Sequence, residues 1–418
     1  MMGNRYDKYK DSGIAWIGEI PEHWEVKRLK YFGNNYNGLT YSPNDICSSQ
    51  EGIIVLRSSN IKDNKLCFDD NVYVNKEIPT KLLVNKGDIL ICSRNGSASL
   101  IGKAALIETD IKATFGAFMM IFKGNNICHK YLYYIVTSCI SQYKWLFTTA
   151  TINQLTSSML GEIFAPFICN KLEQQSIAAY LDQKCGEIDE LITLQEEMIT
   201  KLQSYKQSVI TEAVTKGLDK NAPLKDSGIE WIGKIPEPWR IICLKRLCRI
   251  STGNQDTQDS IPDGKYPFFV RSPKVERSNN YTFEGPSILM AGDGVGAGKV
   301  FHLADNKFAC HQRVYCINQF SVIVNRIYLF YYMSSLFYNI IDSANSKSTV
   351  DSVRLPMLAE FPVCIPLKYE QQSIADYLDQ KCSEIDELIS IKQQKIEKLK
   401  EYKKSLIFEC VTGKRKVS

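Results

Sequence analysis

The chain is written twice, and that repetition constrains its fold more than any other feature. Asp11-Ser12-Gly13-Ile14 and Trp16-Ile17-Gly18 recur 215 residues later as Asp226-Ser227-Gly228-Ile229 and Trp231-Ile232-Gly233. The match runs on through Ile20-Pro21 and Trp24 to Ile235-Pro236 and Trp239. A longer repeat follows: Lys171 to Gly217 aligns without a gap to Lys368 to Lys414, with 29 of 47 positions identical at an offset of 197. Both copies contain Glu-Gln-Gln-Ser-Ile-Ala, Tyr-Leu-Asp-Gln-Lys-Cys and Glu-Ile-Asp-Glu-Leu-Ile. The order is therefore motif, variable block, helix, then the same again. The variable blocks, 31–170 and 246–367, differ in length by 18 residues, which accounts for the change in offset. Such a period predicts two copies of one structural unit.

The repeated helix reads from its spacing. Leu181, Ile188, Gln195, Leu202 and Val209 fall every seven residues, flanked by Leu191, Ile192, Met198, Ile199 and Tyr205. Leu378, Ile385, Lys392, Leu399 and Leu406 take the same places in the second copy. This apolar stripe suits a helix–helix seam, and its best partner is its twin. Gln195 and Lys392, polar in mid-seam, are expected to set register at some cost in stability. No proline interrupts either stretch, and Gly217 and Gly413 mark the ends.

The variable blocks read as short strands. Ile53-Ile54-Val55-Leu56, Asp88 to Cys92 and Phe118 to Phe122 alternate with turn clusters such as Lys62-Asp63-Asn64 and Arg94-Asn95-Gly96. The second block echoes the first: Leu56-Arg57-Ser58 with Val270-Arg271-Ser272, Ile89-Leu90-Ile91 with Ile288-Leu289-Met290, and Gly102-Lys103 with Gly298-Lys299. An aromatic-rich helix closes each block, around His129 to Phe147 and Asn325 to Ile341. One scaffold used twice with different surfaces is expected to read two different things.

Composition removes some classes. A 44% apolar and 23% charged chain with net charge +5 is an ordinary globular protein that permits a nucleic-acid partner without arguing for one. The polar stretch Met1 to Lys10 has no apolar core of a signal peptide. Phe320 to Ile341 carries Asn325 and Arg326 inside it, so a buried amphipathic helix is expected there and not a membrane span. Fourteen cysteines without a secretion signal suggest reduced thiols in the cytoplasm. Cys243, Cys248, Cys310, His311 and Cys316 fit no common zinc spacing, and buried free cysteines are expected.

With these motifs in hand, the chain resembles the specificity subunits of Type I restriction-modification enzymes. The residues that carry the likeness are Asp-Ser-Gly-Ile-x-Trp-Ile-Gly-x-Ile-Pro-Glu-x-Trp at 11–24 and 226–239, and Glu-Gln-Gln-Ser-Ile-Ala at 173–178 and 370–375. The resemblance spans essentially the whole chain. It implies an α+β fold: two tandem strand-rich target-recognition domains separated by two long antiparallel helices that form a coiled-coil spacer, in a pseudo-twofold repeat. The corresponding segments are 1–170, 171–217, 218–367 and 368–418, the last ending in a basic tail. The resemblance further implies a bipartite double-stranded DNA target, two methyltransferase (modification) subunits and restriction/translocase subunits as partners, and no catalysis on this chain. S-adenosylmethionine, ATP and magnesium would sit on those partners.

The chemistry written in the residues agrees. Gly292-Asp293-Gly294-Val295-Gly296-Ala297-Gly298-Lys299 looks like a phosphate cradle, but Asp293 and Val300 break the P-loop pattern, and the GxGxxG spacing fails. A turn between strands is expected, with Lys299 able to meet a DNA phosphate. No Asn-Pro-Pro-aromatic run occurs, and none of His23, His129, His302 and His311 has a nucleophile arrangement around it. Direct readout needs Arg for guanine and Asn or Gln for adenine, on loops of the variable blocks. The candidates are Arg57, Ser58, Asn60, Arg94, Asn95 and Ser97 in the first block, and Arg271, Ser272, Lys274, Arg277, Gln312 and Arg313 in the second. Arg57 and Arg271 are read as matching repeat positions. Trp16, Trp24, Trp231 and Trp239 either anchor an interface or pin each segment to its own domain. Two other readings stand beside this one: a specificity subunit whose partner fuses methyltransferase and nuclease, and a coiled-coil structural adaptor.

Overall fold

The computed structural model describes residues 5–147, 153–344 and 352–417. Its α-helices are α1 (His129–Tyr143), α2 (Ser157–Glu162), α3 (Lys171–Lys216), α4 (Arg326–Leu336), α5 (Tyr338–Ala344), α6 (Leu355–Ala359) and α7 (Lys368–Val411). Two compact units emerge: residues 1–193 with 395–418, and residues 194–394. These cut across the segments drawn from the sequence, because each unit takes one half of each long helix.

In the first unit an antiparallel sheet runs in the order Ala104–Leu106, Ile89–Cys92, Met119–Gly124, Gly33–Asn37. The run Ile89-Leu90-Ile91-Cys92 is buried on both faces because alternate side chains serve two cores. Ile89 and Ile91 join Leu132, Ile135 and Val136 of α1, while Leu90 and Cys92 meet Leu56 and Phe115 of a second sheet. That sheet pairs Ile53–Leu56 in parallel with Ala113–Phe115, then adds Tyr73–Val74 and Ile46–Cys47.

The second unit repeats the first sheet strand for strand: Phe301–Ala304, Ser287–Ala291, Val314–Asn318, Arg249–Thr252. It also repeats the parallel pair, as Tyr266–Phe269 with Lys307–Cys310. Glu276–Ser278 takes the place of Tyr73–Val74, but the outer strands differ: Ile46–Cys47 lies beyond Tyr73–Val74 in the first unit, and Phe283–Glu284 beyond Lys307–Cys310 in the second. A hairpin in the first unit, Ile61–Lys62 with Lys65–Leu66, turns through Asp63 and Asn64 at positive φ. The divergence is thus confined to sheet edges and loops.

The duplicated motifs explain themselves as clamps within each unit. Asp11 and Asp226 accept the N–H of Gly13 and Gly228, whose φ of 71° and 70° close a tight hairpin. Trp24 and Trp239 are buried, and each donates its indole N–H at 3.0 Å to the first residue of Glu-Gln-Gln, Glu173 and Glu370. Trp16 donates to the Tyr143 hydroxyl, and Trp231 stacks on Phe361. All four tryptophans pin segments to their own unit. The middle glutamines, Gln174 and Gln371, are buried and bond backbone at the entries to α1 and α4: Gln174 takes the Cys128 N–H and gives to the Ile168 carbonyl, and Gln371 does likewise with Asn325 and Pro366.

The long helices pair antiparallel within each unit. In the first, Lys403 of α7 meets Asp189 of α3 at 2.6 Å; in the second, Lys206 of α3 meets Asp386 of α7 at 2.6 Å. Both pairs are related by the repeat offset. Leu181, Ile188, Gln195, Val209, Leu378, Ile385 and Leu406 are buried, and Leu202, Lys392 and Leu399 are half-buried, so the seven-residue row lies in the seam. Gln195 and Lys392 face one another at 3.5 Å. Of the flanking residues, Ile192 and Ile199 turn inward, but Leu191, Met198 and Tyr205 are exposed. A seam has room for two adjacent rows, and the row of Cys185, Ile192 and Ile199 fills the second place. Gly217, at φ 76°, ends α3, and Gly413, at φ 72°, stands just beyond α7.

The aromatic helices are shorter than their patterns. The α1 helix gives way to a 3₁₀ turn at Lys144–Leu146, and α4 stops at Leu336 before α5 begins. Tyr328, Leu329, Tyr332 and Met333 bury α4 in the second core, and the Tyr328 hydroxyl donates to the carbonyl of Cys364 at 2.7 Å. Among the described residues no helix is long and apolar enough to cross a membrane.

Candidate nucleic-acid interface

In each unit three loops meet at one rim because the strands before them end on the same side. In the first unit these are residues 57–60 after Ile53–Leu56, 93–97 after Ile89–Cys92, and 116–118 between Ala113–Phe115 and Met119–Gly124. Backbone bonds tie them: Gly116 N to Leu56 O at 3.0 Å, and Ser93 N to Phe118 O at 3.0 Å. The second unit gathers 270–274, 292–294 and 311–313 by the same bonds, His311 N to Phe269 O at 3.0 Å and Gly292 N to Arg313 O at 2.9 Å.

This ladder corrects one alignment. Phe115 pairs with Leu56, and Cys310 pairs with Phe269, so Leu56 and Phe269 occupy equivalent rungs. Arg57 therefore corresponds to Val270, and Arg271 to Ser58. The Leu-Arg-Ser and Val-Arg-Ser echo is one residue out of register. Cys92 pairs with Met119, and Ala291 with Val314, which makes Arg94 equivalent to Asp293 and Phe118 to Arg313.

On the first rim, Arg57 is half-buried, with its guanidinium 2.8 Å from the Asp70 carboxylate. Arg94 is exposed and lies over the Phe118 ring at 5.5 Å. Asn95 donates to the Ser58 hydroxyl at 3.3 Å and accepts the Ser97 N–H at 3.0 Å, joining two loops. Asn60 does not belong to the accessible set. Fully buried, its amide accepts the Arg57 N–H and donates to the carbonyls of Cys67 and Asp70, so it has no free edge for a base.

On the second rim, Asp293 collects two guanidiniums: Arg271 at 3.1 Å and Arg313 at 3.6 Å. Gln312 donates to Asp256 at 2.8 Å. The Thr257 N–H, with His311 and Arg271 nearby, holds Asp256 below the usual carboxylate range. Ser272 bonds the Lys274 carbonyl, and its own carbonyl accepts from half-buried His302, whose pKa desolvation lowers. Lys274 is exposed. Arg277 lies on the edge strand Glu276–Ser278, outside the three rim loops, where its Nε and one terminal nitrogen donate to the carbonyls of Gly264 and Lys265.

The glycine-rich stretch is a turn. Gly296 packs so close that an added Cβ would lie 2.5 Å from the Arg271 carbonyl oxygen, and Gly298 adopts φ 64° against Ile341. Gly102 repeats the Gly298 role at φ 80° against Ile140. Lys299 lies over the Tyr338 ring at 4.1 Å, off the rim loops. Sequence reasoning missed Phe118 and Asp293 as rim residues. Their signal is the strand register, which a short apolar run does not fix by itself. Cys310 and Cys316 are buried, and burial pushes the Cys316 thiol up to about 11.

A second surface lies on the long helices. Leu191, Leu194 and Tyr205 of α3 are exposed, and so are Leu388, Ile391 and Tyr402, their counterparts on α7. The counterpart of exposed Met198, however, is Lys395, so the two copies are alike in three positions and differ at the fourth.

The Type I restriction modification DNA specificity domain matches residues 21–203 and again 236–401. The Type I restriction enzyme EcoDI specificity subunit of Escherichia coli is 26% identical over 181 residues, 43% of this chain and 39% of that protein. The chain thus spans well under half of that relative. A putative type I restriction enzyme MjaX specificity subunit of Methanocaldococcus jannaschii is 26% identical over 433 residues, covering 96% of each chain. Among solved structures, a chain from work on assembly and conformational transition of the type I R-M system superposes with a TM-score of 0.68 at 16% identity, covering 94% of this chain and 98% of the other. That likeness speaks to the fold. Two copies of the matching domain, each beginning at the end of one duplicated motif and taking in one sheet pair and most of one long helix, make this chain a member of the Type I restriction modification DNA specificity family.

Proposed function

We propose that the two units read the two halves of a bipartite DNA target, one rim per half-site, and that the long helices dock methyltransferase and restriction subunits. One observation carries the reading. The clamps that build each unit are repeated nearly residue for residue, while the equivalent rim positions differ in chemistry: Arg94 and Phe118 against Asp293 and Arg313. Duplication kept the scaffold and changed the reading surface, as expected of one recognition module used on two sequences. The opposing adaptor reading explains the helices but gives the rims no task.

The exposed apolar residues on α3 and α7 support docking of two modification subunits, since Leu191, Leu194 and Tyr205 recur at the repeat offset as Leu388, Ile391 and Tyr402. S-adenosylmethionine, ATP and magnesium belong on those partners in this reading, and this chain contributes no catalysis. The test is a domain exchange. Residues 31–170 are replaced by the block of a relative, and methylated sites are mapped in cells that also carry the partner subunits. One half of the recognition sequence should change and the other remain. A change in both halves, or in neither, would refute the assignment.

A further inference from the structure

The rim pair of the second unit has an arrangement that bare charge does not require. Arg313 and Arg271 come from two different loops, and Asp293, from the third, lies between them at 3.6 and 3.1 Å. All three are at least partly exposed, so the ion pairs add little stability. At the equivalent positions of the first unit the pairing persists with different chemistry: Arg94 over Phe118. Both units therefore hold a rim guanidinium in a fixed pose, and they do it by unrelated means. That recurrence cannot be inherited from the duplication.

We propose that Asp293 is a positioning residue that braces Arg271 and Arg313 as paired readers of guanine edges in the second half-site. The inference rests on the DNA-reading function above and names its specificity determinant. The physical argument turns on what a carboxylate does to each class of ligand. A guanidinium has five N–H donors, and one given to Asp293 leaves a fork free for the O6 and N7 acceptors of guanine. Guanine is neutral and does not feel the carboxylate as an opponent. A DNA phosphate does: a fixed negative charge about 3 Å from the same guanidinium repels it and cancels much of the attraction. An arginine meant for phosphate is better left unbraced.

The experiment uses the complex assembled with its modification subunits and duplexes of the mapped recognition sequence, each base pair substituted in turn. Asp293→Ala should lower discrimination at one or two guanines of the second half-site by about 5- to 150-fold, the range of a bidentate contact. Binding to unrelated duplex should stay level or strengthen, and the first half-site should be unaffected. Arg313→Gln should lose discrimination at one of the same positions with the salt dependence of specific binding unchanged, whereas loss of a phosphate contact would lower the slope by about one unit. Asp293→Asn, which keeps the side chain's size and one acceptor, should fall between wild type and alanine; it carries the comparison if the alanine variant fails to fold. Undiminished discrimination with uniformly tighter binding in Asp293→Ala would mark the arginines as phosphate contacts and overturn the proposal. A wild-type complex that shows no base preference in the second half-site would instead overturn the function on which it rests.

Discussion

Replacing Gln371 by leucine should unfold the second unit at a markedly lower temperature, whereas the same change at its neighbour Gln372 should be almost silent. Gln371 is fully buried; its amide accepts the Asn325 N–H at 2.7 Å and donates to the carbonyls of Ile323 and Pro366, both at 2.9 Å. Leucine fills a similar space but bonds none of them. Orphaning the buried N–H costs about 1–3 kcal/mol, and two carbonyls deprived of a donor bring the total to about 3 kcal/mol. The loss falls at a sensitive place, because Asn325 is also the N-cap of α4, holding the N–H groups of Ile327 and Tyr328. For a unit of this size each kcal/mol moves the midpoint by about 2–4 °C, which gives a fall of about 6–12 °C. Gln372 is exposed and bonds Asn325 and Asp376 through solvent-facing side chains, so Gln372→Leu should stay within about 0.5 kcal/mol of wild type. Scanning calorimetry of both variants decides the matter. Midpoints within about 2 °C of each other would refute the claim that the middle glutamine of the repeated motif is a backbone clamp.

Other expectations follow from named contacts. Burial raises the Glu370 carboxyl pKa, so its contribution to stability is present below the unfolded carboxylate value and is lost as pH rises through the higher folded one; Glu370→Gln should flatten that part of the melting-temperature profile, since its amide oxygen still accepts from Trp239. Replacing Gln195 and Lys392 together by leucine should raise the melting temperature while loosening helix register, read by calorimetry and by cross-linking across the seam. Thiol labelling of the native protein near neutral pH should strike exposed Cys169 first, because burial lifts Cys248 and Cys410 to about 12 and shields Cys139 and Cys310; early labelling of Cys410 would contradict the packing of α7.

Much of this architecture was legible because duplication supplies an internal comparison. The row Leu181, Ile188, Leu202 needed only its period, and the echo of Ile89-Leu90-Ile91 in Ile288-Leu289-Met290 located equivalent strands correctly. What stayed hidden depends on choices between near-equal alternatives. Two rows, one through Ile192 and one through Leu191, were both apolar enough to complete the seam, and only three-dimensional packing separates them. The Arg57 and Arg271 echo failed by one residue because a three-letter match says nothing about which rung of a parallel pair it occupies. Asn60 looked like a reader by residue type, yet loop backbones had already taken its donors, and Arg277 lies on an edge strand outside the rim loops. Asp293 escaped notice because an acid is not a residue type sought for base readout, and its two arginines come from other loops.

The first unit is assembled from segments that leave the ribosome far apart in time. Residues 395–418 complete it, with the Tyr9 hydroxyl bonding the Gly413 carbonyl and Lys414 bonding the carbonyls of Ile17 and Glu19. Residues 194–394, by contrast, are contiguous. During synthesis the later unit can therefore finish folding while the earlier one still exposes the seam face of α3, where Leu181 and Ile188 wait for Leu406. Closing that gap joins residues about 400 positions apart, a slow step by loop-closure entropy. The nascent first unit is thus the part of the molecule that should engage chaperones, and its maturation should be timed by the emergence of residues 395–418.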